Sequence, residues 1–448
     1  METRRTLLQK SASLATVHIA GGLASVAASA TPALSAASDY IARLDAAPSD
    51  QKWPMARDWI RTQPAPFFAE LRRSRPILVL PEVTLLTLRS DCVDVLSLPR
   101  LFTVQLYGRK MGSFMLGLDE TPINFRDKGV MQAMLPRSDL PRIKALVEAT
   151  AKKILDESKG RIELVQQYAR LVPLRLVNGY FGFTGPDADM LEWSLAAQWD
   201  QFNNHPFDGW PNSAKIASRA ALGLIAMLAH VTELTAKREA ELAQTPNAVP
   251  QDMLGRLLRN KALDQVGFDR ERLVLNVGGA LIGAIETTAE AVVNALAELL
   301  ARPEEFEGAR RAAQDGKPGI LENYVWEAMR FAPIAPFMFR VSSAEHVLAR
   351  GTFRETRIPQ GATVLAAIQS AMADPAWVEA PDTFRIDRPD HIYMHFGYGH
   401  HDCLGRYIAM TMIPEMLRQV LLRSNLRATG PVDRGGGPFP VRYELTYG

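Results

Sequence analysis

Cysteine is scarce in this sequence, which has only Cys92 and Cys403 among its 448 residues. Two cysteines exclude a disulfide framework, and one disulfide would add little to so large a core. They also exclude a zinc or iron–sulfur site that is built from four cysteines. A metal bound by sulfur in this chain must therefore accept a single thiolate, and groups other than cysteine must supply its remaining ligands.

Neither sign of charge is in excess, because 51 Lys and Arg residues are matched by 49 Asp and Glu residues. The formal net charge is +2, whereas proteins that bind nucleic acid usually concentrate basic residues on one surface. Hydrophobic residues make up 47% and charged residues 22%, which is ordinary globular composition. We therefore expect a folded chain without a nucleic-acid partner.

Long apolar runs are lacking beyond the N-terminal region, so we expect no membrane-spanning helix in the rest of the chain. At the N-terminus, Thr3–Lys10 resembles a twin-arginine export signal, an apolar stretch follows, and Ala28–Ala30 is a small-residue cleavage site. We interpret residues 1–38 as such a signal or as a disordered extension, and residues 39–448 as one folded domain. Export to the periplasm is thereby slightly favoured over a cytoplasmic location.

Internal repeats and long linkers are also lacking, which favours a single domain. Apolar residues recur at three- and four-residue steps over Asp139–Ser158, Asn212–Leu242 and Arg270–Leu300, and they predict helices. The last segment is the longest of the three and would cross a whole domain at about 1.5 Å per residue. Short strands are predicted near four segments: Ile77–Pro81, Glu345–Thr352, Thr363–Ala367 and Arg442–Thr446. The sequence therefore predicts a mainly α fold with small β-sheets.

The loop around Cys403 is rich in glycine. Gly397 and Gly399 precede the cysteine and Gly405 follows it, so the loop can turn tightly and bring its backbone close to a flat cofactor. Backbone N–H groups in such a turn stabilise a thiolate, and the positive end of a helix predicted to follow would lie nearby. We expect Phe396 to pack beside the sulfur and exclude water.

The spacing within this loop resembles the haem-binding signature of the cytochrome P450 superfamily, with every fixed position matched: Phe396-x-x-Gly399-x-His401-x-Cys403-x-Gly405. The resemblance implies a single-domain cytochrome P450 fold of the bacterial soluble type. It also implies haem b as the cofactor, with Cys403 as the ligand of its iron. The haem would lie between the long central helix and the helix Tyr407–Leu422 that follows the cysteine.

A second motif supports this resemblance. Glu327 and Arg330 resemble the family's Glu-x-x-Arg helix behind the haem, where the pair is structural and helps to fix the cysteine loop. Residues three apart share one helix face, so these two side chains can form an ion pair. The family's third partner is usually Arg or His, whereas this sequence has Thr383 there, and we expect Arg385 or Arg388 to compensate.

The long helix contains Glu286 and Thr287 within Gly283–Thr288, which resembles the oxygen-activation motif of the family. A carboxylate in an apolar helix is costly to bury, which favours a function for it. The resemblance implies that Glu286 and Thr287 are catalytic and relay protons; a capped helix junction or an exposed patch is the alternative. We also expect the Thr287 hydroxyl to bond back to a helix carbonyl and distort the turn.

Haem has two propionates, which need cationic or hydrogen-bonding partners. By resemblance, His401 and Arg340 are the first candidates, and Arg126 or Lys128 would reach a propionate from an earlier helix. Asn124 stands about where the family often has His, and a surface role for Arg126 and Lys128 is an equal alternative.

A source of electrons is not encoded in these residues, which contain no flavin, nicotinamide or iron–sulfur module. We therefore expect an external donor, such as a ferredoxin or flavodoxin with its reductase. Basic residues around the cysteine loop would attract an acidic donor, although scattered basic residues on a solvated face are the commoner explanation: Arg137, Arg142, Lys144 and Arg406.

Pockets of this family lie over the haem, and the residues expected to line one here are mostly apolar: Leu106, Phe114, Ala280, Gly283, Ile334, Phe337 and Met338. In any fold most of these would be ordinary core residues. The set suits a lipophilic small molecule such as a lipid, terpene, steroid or aromatic compound.

The function implied is a monooxygenase that inserts one atom of dioxygen into such a substrate by hydroxylation or epoxidation. A peroxide-driven peroxygenase or an isomerase on the same scaffold is the first alternative, which export would favour. The intact Glu286–Thr287 pair favours the monooxygenase, since peroxygenases of the family commonly lack it. A non-catalytic haem carrier or sensor is the alternative from another class.

Overall fold

The computed structural model describes residues 39–247 and 250–448. The predicted export signal falls on residues 1–38 and lies outside the described residues. Within the described ranges the chain forms seventeen α-helices and ten short strands, so the prediction of a mainly α fold with small sheets is confirmed.

The helices vary from one turn to 32 residues in length. In chain order they are α1 (Tyr40–Ala46), α2 (Ser49–Thr62), α3 (Pro64–Ser74), α4 (Arg89–Ser97), α5 (Gln105–Met111), α6 (Pro122–Ala133), α7 (Leu140–Glu157), α8 (Leu171–Leu176), α9 (Asp187–Asn203), α10 (Ser213–Gln244), α11 (Met253–Arg259), α12 (Arg270–Ala284), α13 (Glu286–Leu300), α14 (Pro303–Asp315), α15 (Ile320–Phe331), α16 (Ile368–Ala371) and α17 (Arg406–Leu421).

The strands have two to five residues each. They are β1 (Ile77–Val79), β2 (Thr84–Leu86), β3 (Phe102–Thr103), β4 (Arg161–Glu163), β5 (Met338–Ser342), β6 (His346–Leu348), β7 (Thr356–Ile358), β8 (Thr363–Ala366), β9 (Arg427–Ala428) and β10 (Glu444–Thr446). All four predicted strand regions contain a strand, and six other strands were not predicted.

Three sheets are formed by these strands. The largest has the order β1-β2-β8-β5-β3, in which β2 and β8 run parallel and the other pairs are antiparallel. Its register pairs Arg340 of β5 with Val364 of β8. The other sheets have the orders β4-β10-β9 and β6-β7. The large sheet thus fixes the position of Arg340, one of the predicted haem-binding residues.

The core is built around α13, in which every residue from Thr288 to Leu296 is buried. This stretch is rich in Ala and Val, whose small side chains let other helices approach closely on all sides. Helices α15 and α17 both pack against it. Because α15 contains the Glu-x-x-Arg pair and α17 follows the cysteine, the buried helix brings the sequence motifs together.

The predicted central helix Arg270–Leu300 is interrupted at Ile285, where α12 ends and α13 begins. The Thr287 hydroxyl donates to the carbonyl of Gly283 at 2.8 Å across this junction. A threonine that bonds back in this way bends a helix, which is the predicted distortion. The prediction that this segment is the longest helix is wrong, because α10 has 32 residues and the two halves have 15 each.

Two helical segments of the described residues are long and apolar enough to cross a membrane by length and composition alone, contrary to expectation. One is Arg270–Leu300, with a mean hydropathy of 1.3, and 72% of its apolar window is buried inside the protein. Its apolar character is explained by the core. The other is α10, with a mean hydropathy of 1.4 and 22% of its window buried.

Candidate active site

The cysteine loop is closed by its own backbone. The N–H of Cys403 donates to the carbonyl of Phe396 at 2.9 Å. Gly397 and Gly399 have φ values of 76° and 74°, a conformation that strains residues with a side chain. At Gly399 a Cβ would also lie 2.5 Å from the carbonyl oxygen of Leu96 in α4. Glycine is therefore required at this point, and α4 supports the loop.

Cys403 lies directly before α17 and differs from the other cysteine in its surroundings. Cys403 is exposed and Cys92 is buried, yet burial among the protein's atoms raises the pKa of the Cys403 thiol. The two observations agree if the sulfur faces an interior cavity rather than bulk solvent. The backbone N–H of Gly405 bonds to the sulfur and opposes the rise in pKa, as a thiolate ligand requires.

Arg340 is a buried cation and His401 a partly buried imidazole, and neither has an anionic partner among the described residues. The Arg340 guanidinium donates to the carbonyl of Phe339 at 2.8 Å, and burial lowers its pKa. The His401 Nε2 atom is buried without a hydrogen bond. Burial, together with the nearby charge of Arg340, lowers the pKa of His401 to about 3. The unpaired charge of Arg340 and the unsatisfied Nε2 atom of His401 fit the propionates of a haem.

Lys128, rather than Arg126, reaches the cysteine loop from α6. The Lys128 ammonium donates to the carbonyl of His400 at 2.7 Å and to the side chain of Asp402 at 2.7 Å. Arg126 is instead paired with Asp127 at 2.8 Å. The geometry therefore does not support the predicted role of Arg126, because its guanidinium is engaged on another face of the helix.

The Glu327 carboxylate is held by five hydrogen bonds. Arg330 donates two, at 2.9 and 2.8 Å, and the Arg388 side chain donates one at 3.0 Å. The others come from the backbone N–H of Arg385 at 3.0 Å and the Tyr393 hydroxyl at 3.2 Å. Burial alone would raise the pKa of Glu327, but these donors lower it below its usual value.

Arg388 occupies the place of the missing third partner. Its guanidinium also bonds to the carbonyls of Glu379, Ala380 and Thr383, at 2.6, 2.9 and 2.8 Å. Thr383 contributes only its backbone to this network. The compensation expected of Arg385 or Arg388 therefore comes from the side chain of Arg388 and from the backbone of Arg385.

Glu286 lies at the start of α13 and is buried in an ion pair with Arg170. The Arg170 Nε and Nη2 atoms lie 3.0 and 2.7 Å from Glu286 Oε1, and Oε2 has no hydrogen bond to the described residues. Burial raises the pKa of Glu286, and Arg170 opposes the rise. Nothing in the sequence indicated Arg170, because it belongs to no motif and lies far from Glu286 along the chain.

Open space lies beside the junction of α12 and α13. Gly283 is exposed in the middle of this core helix, and a Cβ built on it would meet no atom within 4 Å. Partial or full exposure also marks other residues of otherwise buried elements: Ala284, Thr287, Ile334, Phe337, Met338, Phe396, Cys403 and Leu404. An interior space lined by the cysteine loop and the central helix fits a flat haem.

A cleft of about 610 Å³ opens beside α12. Its walls come from α5, α9, α10, α12 and the segment 112–114. Phe114, predicted as a pocket residue, lines it, and its ring occupies the notch at Gly279, where a Cβ would lie 2.1 Å from the ring. The other predicted lining residues lie outside the walls of this cleft: Leu106, Ala280, Gly283, Ile334, Phe337 and Met338.

The comparison with protein families identifies the family to which this chain belongs. The model of the family named Cytochrome P450 matches residues 189–433, which is more than half of the chain. The chain is a cytochrome P450. Its cofactor is therefore haem b, and it is a monooxygenase of the cytochrome P450 superfamily.

Curated relatives of this cytochrome P450 include several bacterial proteins. It is 26% identical to cytochrome P450 107B1 of Saccharopolyspora erythraea over 302 residues, or 67% of each chain. It is 27% identical to a steroid C26-monooxygenase of Mycolicibacterium smegmatis, over 59% of this chain and 60% of that protein. A putative cytochrome P450 133B2 of Xylella fastidiosa is 26% identical, over 80% of this chain and 89% of its own length.

Solved structures show the same fold. The crystal structure of CalO2 superposes with a TM-score of 0.72 at 23% identity, over 87% of this chain and 97% of CalO2. The structure of CYP109E1 from Bacillus megaterium, a complex with testosterone, gives a TM-score of 0.72 at 17% identity, over 86% and 98% of the two chains. The predicted single-domain cytochrome P450 fold is confirmed.

Proposed function

We propose that this cytochrome P450 inserts one atom of dioxygen into a lipophilic small molecule, by hydroxylation or epoxidation, with electrons from an external ferredoxin or flavodoxin and its reductase. The observation that carries the proposal is the junction at Ile285. There the half-exposed Thr287 hydroxyl lies beside open space, next to the buried Glu286 and its partner Arg170.

Binding of the cofactor is assigned to residues of the cysteine loop and of β5. Cys403 supplies the thiolate to the iron, and the N–H of Gly405 stabilises its negative charge. Arg340 and His401 bind the propionates, with Lys128 as a second cation beside the loop. Phe396 covers the sulfur side and excludes water.

When bound, the haem activates dioxygen, and a thiolate ligand favours cleavage of its O–O bond. The protein's own contribution is to hold and move protons beside it. The carboxyl of Glu286 has a pKa that burial raises and a free Oε2 atom, so it can hold and pass on a proton more readily than an exposed carboxyl. Thr287 presents a hydroxyl to the open space, and its bond to Gly283 fixes the direction of that hydroxyl.

The face on which an acidic redox partner would bind is proposed from helices α7 and α17, which pack side by side. Arg137 precedes α7, and its guanidinium lies 3.6 Å from the centre of the exposed Tyr407 ring on α17. Lys144 on α7 and Arg406 on α17 are also at least partly exposed. Basic residues next to the cysteine loop would steer an acidic donor towards the haem.

The test is the variant Thr287→Ala in the haem-loaded protein, with a ferredoxin and its reductase as electron donors and 5α-androstan-3-one as a lipophilic probe. We expect product formed per NADPH to fall about tenfold or more, with the electrons appearing as hydrogen peroxide. Thr288→Ala is the matched control, because Thr288 is the buried neighbour on the same helix.

Two results would contradict the proposal. If Thr287→Ala keeps full coupling while peroxide alone supports equal turnover, the protein is a peroxygenase. If the reduced wild-type protein under carbon monoxide lacks the strongly red-shifted Soret band, or Cys403→Ser retains it, thiolate ligation by Cys403 is wrong.

A further inference from the structure

The cleft beside α12 runs from solvent into the core. Thr232, Arg270 and Glu271 line one end and are exposed, whereas Gly279 at the other end is buried. Gly279 lies one helical turn before Gly283, where open space begins. The buried end of the cleft therefore leads towards the side of the central helix that we assign to the haem.

Most of the buried wall is apolar. Met111, Phe114, Met227 and Ile282 are all buried, and their side chains have no polar group other than thioether sulfur. A volume of about 610 Å³ lies within the range of small-molecule sites, about 300–1,000 Å³. The wall suits the hydrocarbon body of a lipophilic molecule.

Gln201 of α9 is the exception in this wall. It is 3% exposed and lines the cleft. Its backbone carbonyl is bonded to His205 at 2.9 Å, but its side-chain amide makes no hydrogen bond within residues 39–247 and 250–448. No polar atom of its amide is fully enclosed by protein, so the amide faces the space of the cleft. A ligand that fills the cleft can supply the missing partner.

The cationic side chains that line the cleft are already paired with carboxylates, so they are not free to bind an anionic ligand. The Lys110 ammonium is paired with Asp200 at 2.6 Å, and Arg270 is paired with Glu239 at 2.7 Å. Glu271 at the mouth would repel a carboxylate. A fatty acid would therefore enter with its charge unpaired, whereas a neutral alcohol or ketone would not.

We propose that Gln201 determines substrate specificity by hydrogen-bonding a neutral hydroxyl or ketone oxygen on an otherwise apolar substrate. This inference rests on the proposed monooxygenase function and narrows its substrate class. The amide can donate to a ketone and can both donate to and accept from a hydroxyl. Molecules of matching chemistry are steroid or terpenoid alcohols and ketones rather than fatty acids or plain hydrocarbons.

The test measures binding of three probes to the haem-loaded protein by isothermal titration calorimetry. The probes are 5α-androstane, 5α-androstan-3-one and 5α-androstane-17-carboxylic acid, which share one skeleton. The variant Gln201→Leu removes the amide and keeps a side chain of similar volume. Gln198→Leu is the matched control, because Gln198 is also buried on α9 but does not line the cleft.

We expect the wild-type protein to bind the ketone about tenfold more tightly than the hydrocarbon or the carboxylate, since one hydrogen bond contributes that much. Gln201→Leu should abolish this preference while the hydrocarbon binds equally well, and Gln198→Leu should keep it. The inference is overturned if both variants behave alike, if the carboxylate binds best, or if no probe binds. The carbon monoxide band separates these failures from a failure of the proposed function, because it reports thiolate-bound haem without substrate.

Discussion

Arg340 brings a positive charge into an aromatic part of the core. Next to it in β5, Phe339 stacks on Tyr107 with ring centroids 4.0 Å apart. Burying a cation without a counter-ion is expensive, and Arg340 has no carboxylate partner among the described residues. We propose that a haem propionate supplies the missing negative charge and offsets this cost. At the scale of one residue, the unpaired charge is the observation on which the proposed propionate site rests.

Arg340→Leu should therefore weaken haem binding without destabilising the haem-free protein. We expect haem affinity to fall tenfold or more, because one propionate loses a buried charged partner. The melting temperature of the haem-free variant should equal or exceed that of the haem-free wild type, since an uncompensated buried charge has been removed. Haem titration and differential scanning calorimetry measure the two quantities.

Arg357→Leu is the control, because Arg357 is exposed on β7 and paired with Glu345. It should leave haem affinity unchanged. A haem-free Arg340→Leu protein that melts well below the wild type would show that Arg340 stabilises the fold by itself, and the assignment to a propionate would lose its support.

What the sequence could predict at this scale was mostly limited to residues within motifs or near them in the chain, such as Arg388. Cys403, Glu327 and Thr287 stand at fixed spacings, so a pattern indicated each of them. Arg170 and Gln201 belong to no pattern, and only the fold brings them to Glu286 and to the cleft. A single sequence contains no signal for a contact between residues so far apart.

Helix α15 and the segment before the cysteine loop are joined through Glu327. Arg388 donates to this carboxylate and to three backbone carbonyls, so it holds a stretch with no regular secondary structure against the helix. Arg385 reaches the same carboxylate only through its backbone N–H, while its side chain pairs with Asp387 at the surface.

Replacement of Arg388 should consequently lower the free energy of unfolding much more than replacement of Arg385. Arg388→Leu should lower the free energy of unfolding by about 3–5 kcal/mol, because it leaves part of a buried ion pair uncompensated. Arg385→Leu should change it far less, since it removes only the exposed ion pairs with Glu379 and Asp387. Urea unfolding of both variants measures the difference, and equal losses would refute this division of roles.

Elements with a strong periodic pattern were predicted and short ones were not. The predicted Asn212–Leu242 and Asp139–Ser158 differ from α10 and α7 by only one or two residues at each end. Strands of two or three residues, such as β3, are too short to show alternation, and they exist because neighbouring strands pair with them. The break at Ile285 was predictable from Thr287, whereas the greater length of α10 was not.

At the scale of the whole molecule, an ion pair between Glu290 and Arg434 connects the C-terminal region to the central helix. The Arg434 guanidinium lies 3.0 Å from Glu290 and also donates to Asn294 at 2.7 Å. Burial raises the pKa of Glu290 to about 7, although Arg434 and Asn294 oppose the rise. The folded protein therefore holds a proton on Glu290 at a pH where an unfolded chain has lost it.

Stability should depend on pH through this group with a defined sign. Because the folded pKa is raised, protonation of Glu290 stabilises the fold fully below about pH 4.5, and this contribution is lost as the pH rises to about 7. Relative to Glu290→Gln, the wild type should lose about 2 kcal/mol of unfolding free energy between pH 5 and 8. Urea unfolding at several pH values gives the two curves.

Glu304→Gln, at an exposed position of α14, serves as the control. Its curve of unfolding free energy against pH should be parallel to that of the wild type. Parallel curves for wild type and Glu290→Gln would mean that Glu290 titrates at the same pH in the folded and unfolded chains.

The contact between Phe114 and Gly279 constrains how the sequence of this enzyme can evolve. A Cβ at position 279 would lie 2.1 Å from the ring, so no side chain fits there while the ring keeps its place. While the Phe114 ring keeps its place, Phe114 can become smaller first, but Gly279 cannot become larger first. A lineage that remodels this wall of the cleft without moving the ring must therefore mutate position 114 before position 279.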